Sequence, residues 1–141
     1  MEYKRLKDKI TLRIDRGEEA MSSLLDLAVK EKVCGSISAI GACDEFEVGL
    51  YRVEERKYIS KKYKGDFEIV SCLGNLTVKD GKPYLHLHIA CADENNNTFG
   101  GHLSYCKISG TFECVIEIID GEVNRKVDDK TSLNIFDFKQ N

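Results

Sequence analysis

The chain has 141 residues, of which 42% are hydrophobic and 32% charged, and its formal net charge is −3 at pH 7. This length and composition are typical of one globular domain with a sizeable core, so we predict a single domain over residues 1–141. No apolar run reaches the roughly 20 residues that a membrane-spanning helix needs, and we expect no membrane partner. The acidic balance gives no general attraction to nucleic acid or to an anionic surface.

The first ten residues are charged and contain no apolar stretch of the kind that forms the centre of a secretory signal peptide. We therefore expect a cytoplasmic protein. Six cysteines fit a reducing compartment, since none forms a C-x-x-C pair and most lie among apolar residues, which is typical of small buried thiols. One of them near the histidines could still be a metal ligand. The cysteines are Cys34, Cys43, Cys72, Cys91, Cys106 and Cys114.

One helix is predicted near the N-terminus, after a first strand with apolar residues at 10, 12 and 14. Residues 15–17 open the helix, with Glu18 and Glu19 in its first turn, where acidic side chains suit the helix dipole. Gly35 is expected just after its end. Apolar residues at helical spacing predict the face that packs on the core. They are Met21, Leu24, Leu25 and Ala28.

The rest of the chain has the alternation and turn residues of β-structure. Together with the first helix it predicts an α+β fold: a single compact domain with a mainly antiparallel sheet and one principal helix near the N-terminus. Apolar residues 133–138 predict either a last strand or a segment that docks on a partner. Strands are predicted over residues 37–43, 46–53, 57–62, 67–73, 75–78, 84–92, 99–108 and 111–119.

All three histidines of the chain lie within one predicted hairpin, at His86, His88 and His102. With the loop centred on Asn95, His88 lies opposite His102, and the alternation of side chains puts all three imidazoles on one face. Cross-strand Cβ atoms are about 5 Å apart, so the imidazoles could converge on one ion. We predict a divalent metal site, with zinc as the first candidate and nickel, copper or iron as alternatives. The competing interpretation is three polar residues on a solvent-facing surface.

Four further residues are candidates for contacts around the metal ligands. Ser104 and Cys106 are predicted to share the face of His102. Glu68 and Glu113 lie in strands, where they could orient a ligand or act as a base, although strand carboxylates are more often solvated or paired. No nucleophile motif such as G-x-S-x-G occurs, so the sequence assigns no catalytic residue and does not decide whether the protein is an enzyme.

Residues 52–64 carry six basic side chains against two glutamates, with Tyr58 and Tyr63 between them. Such a stretch could contact phosphates while the tyrosines stack on bases, which makes DNA a candidate partner. We favour the simpler interpretation of a solvated hairpin edge, where lysines discourage edge-to-edge aggregation. The basic residues are Arg52, Arg56, Lys57, Lys61, Lys62 and Lys64.

Several short segments together resemble the PPC (plant and prokaryote conserved) domain family in its stand-alone prokaryotic form. The H-L-H and G-G-H-L segments are the most specific of them, and residues 35–51 also look like the family's early glycine-containing hairpin. The segments are G-D-F-E-I-V-S at 65–71, G-N-L at 74–76, D-G-K-P at 80–83, H-L-H at 86–88, G-G-H-L at 100–103 and T-F-E-C-V at 111–115.

The resemblance implies a homotrimer whose three histidines bind a metal near the subunit contacts. In plants the domain follows AT-hook DNA-binding motifs, but this chain has no R-G-R-P-type AT-hook, so a DNA function would rest on analogy of fold. Our leading hypothesis is a trimeric DNA-associated or regulatory module with a three-histidine metal site. The alternatives are a small metal-dependent enzyme or ligand-binding protein that uses the same site, and a scaffold whose histidines are structural.

Overall fold

Eight strands and one helix make up residues 1–138, the part of the chain that the computed structural model describes. The α+β fold, with a mainly antiparallel sheet and one helix near the N-terminus, is confirmed. The elements are β1 (Glu2–Leu6), β2 (Lys9–Ile14), α1 (Ala20–Glu31), β3 (Cys34–Arg52), β4 (Lys57–Lys79), β5 (Lys82–Ala92), β6 (Thr98–Ile119), β7 (Asn124–Val127) and β8 (Asn134–Asp137).

Four long strands pair in a closed cycle. β3 lies between β4 and β6, and β5 pairs with the same two strands, all antiparallel. β2 pairs with β6, and β1 extends the sheet beyond β2. β7 joins β4 through a single parallel pair, Val78 with Asn124, and β8 pairs antiparallel with β7. β5 is therefore held at both edges, which fixes the strand that carries two of the histidines.

Side-chain alternation separates a buried core from an outward face along the strands. Every second residue of β2 from Ile10 and of β5 from Leu85 is buried. Helix α1 packs Leu24, Leu27 and Ala28 against this core next to β5 and β6. Burying a leucine side chain of this kind contributes about 1.5–3 kcal/mol. The intervening residues of β5, including its histidines, are left on the opposite face.

The helix begins two residues later than its acidic residues indicate. Glu19 is the N-cap, and its carboxylate accepts hydrogen bonds from the backbone N–H groups of Met21 (2.9 Å) and Ser22 (2.7 Å). The expectation that Glu18 and Glu19 form the first turn is thus wrong. Both acidic residues precede the helix, and Glu19 satisfies N–H groups of the first turn that have no partner within the helix.

The helix ends at Glu31, four residues before the glycine that was predicted to stop it. Lys32 adopts the left-handed conformation (φ 51°), and its N–H donates to the carbonyl of Ala28 at 2.9 Å. Gly35 lies inside β3. A non-glycine residue takes the capping position here, which the usual preference for glycine did not anticipate. No helix within residues 1–138 has the length and apolar character required to cross a bilayer.

Several strands that the sequence divides are continuous in the structure. The predicted segments 37–43 and 46–53 merge into β3, which ends one residue earlier at Arg52, and the acidic turn expected between them is a bulge at Asp44. β4 and β6 likewise each join segments predicted as separate strands. A β-bulge accommodates one extra residue without ending the strand, so turn-like residues need not mark a boundary. β1 and β7 were not predicted, whereas the C-terminal strand is confirmed as β8 and folds back on its own chain.

Glu19 also joins the helix to the sheet, because its Oε1 atom accepts the backbone N–H of Cys106 in β6 at 3.0 Å. We predict that Glu19→Ala lowers the free energy of unfolding by about 1–2 kcal/mol, the range for loss of a helix cap. Urea unfolding followed by circular dichroism measures this change. Glu94→Ala, in the exposed β5–β6 loop, is the control and should change stability by less than about 0.5 kcal/mol. Equal losses in the two variants would contradict the capping role.

Candidate metal centre

The β5–β6 hairpin has the register that its sequence predicts. Its ladder runs from the His88–His102 pair to the Ala92–Thr98 pair, which centres the loop on Asn95. Asp93 closes this loop, since its Oδ1 atom accepts backbone N–H groups of residues 95 and 97, each at 2.9 Å. The predicted opposition of His88 and His102 is confirmed.

The three imidazoles come together on the outward face. Their ring centroids lie 5.2 Å apart for His86–His88, 5.2 Å for His86–His102 and 5.6 Å for His88–His102. The nitrogen atoms that could serve as ligands all lie within 4.8 Å of one another. His86 and His102 are half-buried and His88 is exposed. Beside them on β4, Asn75 pairs with His86 and Leu73 with His88.

Beyond the His88–His102 pair, β5 and β6 are no longer paired with each other, and the alternation of side chains along β6 changes. Ser104 is an extra residue between the pairs that β6 makes with Glu47 and Val48 of β3. This bulge reverses the faces of the residues that follow, and Cys106 turns into the core, where it is fully buried. The prediction that Cys106 shares the face of His102 is therefore wrong.

Burial keeps two of the imidazoles neutral. Burial is the main cause that lowers the pKa of His86 to about 4, and the neighbouring charges of His102, Arg125 and His88 lower it further. The pKa of His102 is lowered by burial and then by His88. A neutral imidazole is the form that binds a metal ion, so both groups are ready to act as ligands near pH 7.

A pocket of about 780 Å³ opens in front of the imidazoles. The Tyr58 ring lies 5.6 Å from the His102 ring and forms one wall. Gly49 makes room for that ring, because a Cβ atom there would lie 2.9 Å from it. None of the described residues that line the pocket is acidic. Apart from the histidines, its main side chains are Leu50, Tyr58, Tyr84, Phe136, Asn75 and Arg125.

The other predicted contact residues divide between two places. Ser104 shares a small hollow with His102, and its hydroxyl donates to the carbonyl of Glu47 at 3.2 Å. Glu68 and Glu113 line a different groove on the outer sheet surface and are not part of the histidine pocket. Glu68 pairs with Ala92 at the loop end of β5, and Glu113 pairs with Ile40 of β3, so both lie apart from the histidines, which their spacing in the sequence did not reveal.

Three of the six basic residues of segment 52–64 are already paired with acidic side chains. Arg52 forms an ion pair with Glu55 at 3.0 Å, and Glu45 pairs with both Lys62 and Lys64, the latter at 3.2 Å. These partners lie within the β3–β4 hairpin itself. The acidic side chains reduce the positive field that the composition of the segment indicates.

The remaining basic residues and the tyrosine beside them have different surroundings. Arg56 donates to the backbone carbonyls of residues 129 and 130 in the β7–β8 connection. Lys57 is exposed, and the ammonium group of Lys61 lies 4.7 Å from the centre of the Tyr63 ring. That ring stacks against Phe46 at 4.9 Å and against residue 99 at 4.8 Å. Tyr63 is therefore part of the apolar packing and is not the base-stacking side chain that the sequence suggested.

Sequence reasoning missed Arg125, the one charged residue that is buried in the described part of the chain. It lines the histidine pocket from β7, where Phe136 is its partner across the β7–β8 hairpin. The surrounding residues, N-R-K-V, have the composition of an exposed strand, so nothing local indicates its burial. Tyr84, two residues before His86 on β5, also lines the pocket and was not recognised as part of it from the sequence.

The protein thus consists of a closed, mainly antiparallel sheet with one helix. It carries three clustered histidines on its outward face. The sequence profile of the Plants and Prokaryotes Conserved (PCC) domain family matches residues 1–120, and the chain belongs to this family. The resemblance stated from the sequence is confirmed. No curated protein gives a significant match to the sequence.

Solved structures extend the likeness over nearly the whole chain. A Bacteroides thetaiotaomicron protein whose name proposes DNA binding is 27% identical, with a TM-score of 0.95 and coverage of 99% of this chain and 98% of that one. A metal-containing protein from Archaeoglobus fulgidus is 27% identical, with a TM-score of 0.85 and 96% of each chain covered. A plant- and prokaryote-conserved protein from Pyrococcus horikoshii is 26% identical, with a TM-score of 0.85 and coverage of 99% and 95%.

The lowered pKa of His86 predicts an unusual pH dependence in metal-free protein. The folded chain should protonate His86 only near pH 4, whereas the unfolded chain takes up that proton near pH 6.5. The free energy of unfolding should therefore decrease as the pH falls from 6.5 towards 4. Histidine NMR titration with a chelator present gives the midpoint, and urea unfolding at pH 7 and pH 5 gives the stability change. His86→Gln should reduce that change, and a His86 midpoint near 6.5 would contradict the prediction.

Proposed function

We propose that the protein binds one divalent metal ion per chain through His86, His88 and His102, with zinc as the most fitting ion. The carrying observation is the cluster of imidazole nitrogens within 4.8 Å of one another. Bonds of about 2.0–2.1 Å in tetrahedral geometry place ligand nitrogens roughly 3.3 Å apart, so modest side-chain rotation would suffice. The neutral state of His86 and His102 suits this role, and the metal-containing relative from Archaeoglobus fulgidus supports it.

Three protein ligands leave a coordination position open, and an ion held in this way supplies a Lewis acid to whatever enters the pocket. The alternative function, a small metal-dependent enzyme, would use that position for catalysis. The described lining of the pocket offers no aspartate or glutamate as a general base. We therefore favour ligand binding at this site over catalysis.

Metal analysis of protein purified without a His-tag tests the metal proposal directly. About one divalent ion per chain is expected, and His88→Ala should remove most of it, because two imidazoles hold an ion far less well than three. Ser104→Ala is the matched control, since its hydroxyl lies next to His102 but donates to a backbone carbonyl. Stoichiometric metal in a variant that lacks all three histidines would refute the proposal.

We further propose that residues 1–141 form one domain and that three copies assemble into a homotrimer, as the family resemblance implies. An exposed apolar strip on the outer sheet face supports this assembly. It consists of Ile40, Val70 and Leu73, each more than half exposed, and Leu73 pairs with His88 of the metal cluster. An apolar surface of this kind favours a partner, and closed symmetry would bury all three copies next to the metal sites.

Light scattering measures the proposed assembly. We expect about 48 kDa in solution, three times the chain mass of 16.0 kDa. Leu73→Glu should give monomers, because it places a charge in the apolar strip. Val29→Glu, at an equally exposed position on the helix, should leave the mass unchanged. A wild-type mass of 16 kDa at every concentration would contradict the trimer.

The six cysteines bear on the cellular location of the protein. All six are buried free thiols, as the sequence interpretation held. Buried reduced thiols are typical of a reducing compartment, and they support the cytoplasmic location that we propose.

DNA binding is a second candidate function, favoured by the name of the Bacteroides thetaiotaomicron relative and by one surface of the hairpin arm. Arg52, Lys57 and Lys61 share one face of the β3–β4 hairpin, since Arg52 pairs with Lys57 and Lys61 lies two alternations further along β4. We place this function second because Lys62 and Lys64 on the other face are paired with Glu45.

Gel retardation of duplex DNA at low salt tests this second function. If the arm binds DNA, Lys57→Glu with Lys61→Glu should weaken binding and reduce the salt dependence by roughly 0.9 per lost phosphate contact. The same reversal at Lys62 and Lys64 is the comparison, and it should have the smaller effect. An absence of retardation at micromolar protein would count decisively against direct binding.

A further inference from the structure

Arg125 is a buried charge without an acidic partner in the described part of the chain. It is only 8% exposed, and it forms no ion pair with a carboxylate among residues 1–138. Its guanidinium donates three hydrogen bonds to neutral oxygens: to Thr77 Oγ1 at 2.7 Å, to the Asn134 carbonyl at 2.7 Å and to Asn75 Oδ1 at 2.5 Å. A guanidinium has five N–H donors, so two remain without a partner in the described chain.

Two aromatic rings hold the guanidinium in place. Its central carbon lies 4.9 Å from the centre of the Tyr84 ring and 4.6 Å from that of the Phe136 ring. The Tyr84 hydroxyl accepts a hydrogen bond from Asn134 at 3.1 Å, which ties the β7–β8 hairpin to β5. A desolvated cation is costly unless it is paired, and the rings and neutral oxygens compensate for only part of that cost. The arrangement is typical of a preorganised site for an anion.

The same side chains connect Arg125 to the metal centre. Asn75, which accepts from Arg125, is the cross-strand partner of His86, and Thr77 is the partner of Tyr84. Arg125 and the three histidines line one pocket, and none of its described lining residues is acidic. A bound divalent ion would add two further positive charges to this pocket. Its charge therefore favours an anionic ligand, and its large apolar walls favour an organic one.

We propose that this pocket binds a small organic monocarboxylate, with the carboxylate at Arg125 and its apolar part against walls such as Tyr58 and Phe136. A carboxylate fits because the planar fork of arginine pairs with two carboxylate oxygens. Phosphate sites more often combine a cation with several backbone N–H groups or a second basic residue, and the lining holds one arginine and no lysine. The involvement of the metal rests on the proposed function, whereas the contact with Arg125 does not.

Calorimetric titration with benzoate tests the proposal, with uncharged benzamide and inorganic phosphate as comparison ligands. Wild-type protein is titrated both loaded with metal and in the presence of a chelator, and the metal content of every sample is determined. Arg125→Gln removes the charge, and Arg56→Gln is the matched control, an arginine that donates to the β7–β8 connection but does not line the pocket. We expect Arg125→Gln to weaken benzoate binding about tenfold or more and Arg56→Gln to leave it unchanged. Benzamide carries no charge. It should bind wild-type protein no more tightly than benzoate binds the Arg125→Gln variant.

A second measurement needs no variant and covers the case in which Arg125→Gln fails to fold. Benzoate added to wild type should shift the NMR signal of the Arg125 guanidinium and leave that of Arg56 in place. A shift in protein that binds no metal would support the carboxylate site while refuting the metal proposal. Metal-loaded protein whose Arg125 signal is unmoved by benzoate would overturn the carboxylate proposal alone. So would equal binding of benzamide, unchanged binding in folded Arg125→Gln, or tighter Arg125-dependent binding of phosphate.

Discussion

The pairing of His88 with His102 is the constraint on which the rest of the site depends. Side chains along a strand alternate between faces, so a slip of one residue in this hairpin would turn imidazoles into the core. The closed cycle of strands prevents the slip, because β5 is paired with β4 on one edge and with β6 on the other. The buried side chains of Leu87 and Ile89 hold the same register from inside. The histidine cluster is thus a product of core packing on the opposite face.

This part of the structure could be predicted from the sequence because its determinants are local. The polar loop around Asn95 and the alternation of apolar residues on either side define one register, and that register places the three imidazoles together. The prediction failed two residues beyond His102. A bulge at Ser104 inserts one residue opposite β3, and Cys106 consequently faces the core. Bulges leave no strong local mark in a sequence, which also explains why β3, β4 and β6 were read as shorter strands.

The features that sequence reasoning missed depend on long-range contacts. Arg125 is buried because β7 joins β4 through one pair and because Tyr84 of β5 and Phe136 across the β7–β8 hairpin supply the rings that enclose it. The basic segment 52–64 is the opposite case. Its charge was evident from the sequence, but Glu45, the partner of Lys62 and Lys64, lies on the neighbouring strand β3. Composition identified the charged groups of this protein, and only the fold determines which of them have partners.

The proposed metal ion and Arg125 would be linked by electrostatics. A divalent ion held only by imidazoles would keep its full charge, and the Arg125 guanidinium adds a further positive charge to the same pocket, whose described lining is not acidic. The two cations would repel one another, so Arg125 would lower the affinity of the pocket for the metal ion when no ligand is present. A carboxylate bound between them would be attracted to both cations and would offset that repulsion. Because binding linkage is reciprocal, the metal would then strengthen carboxylate binding by the same factor by which the carboxylate strengthens retention of the metal.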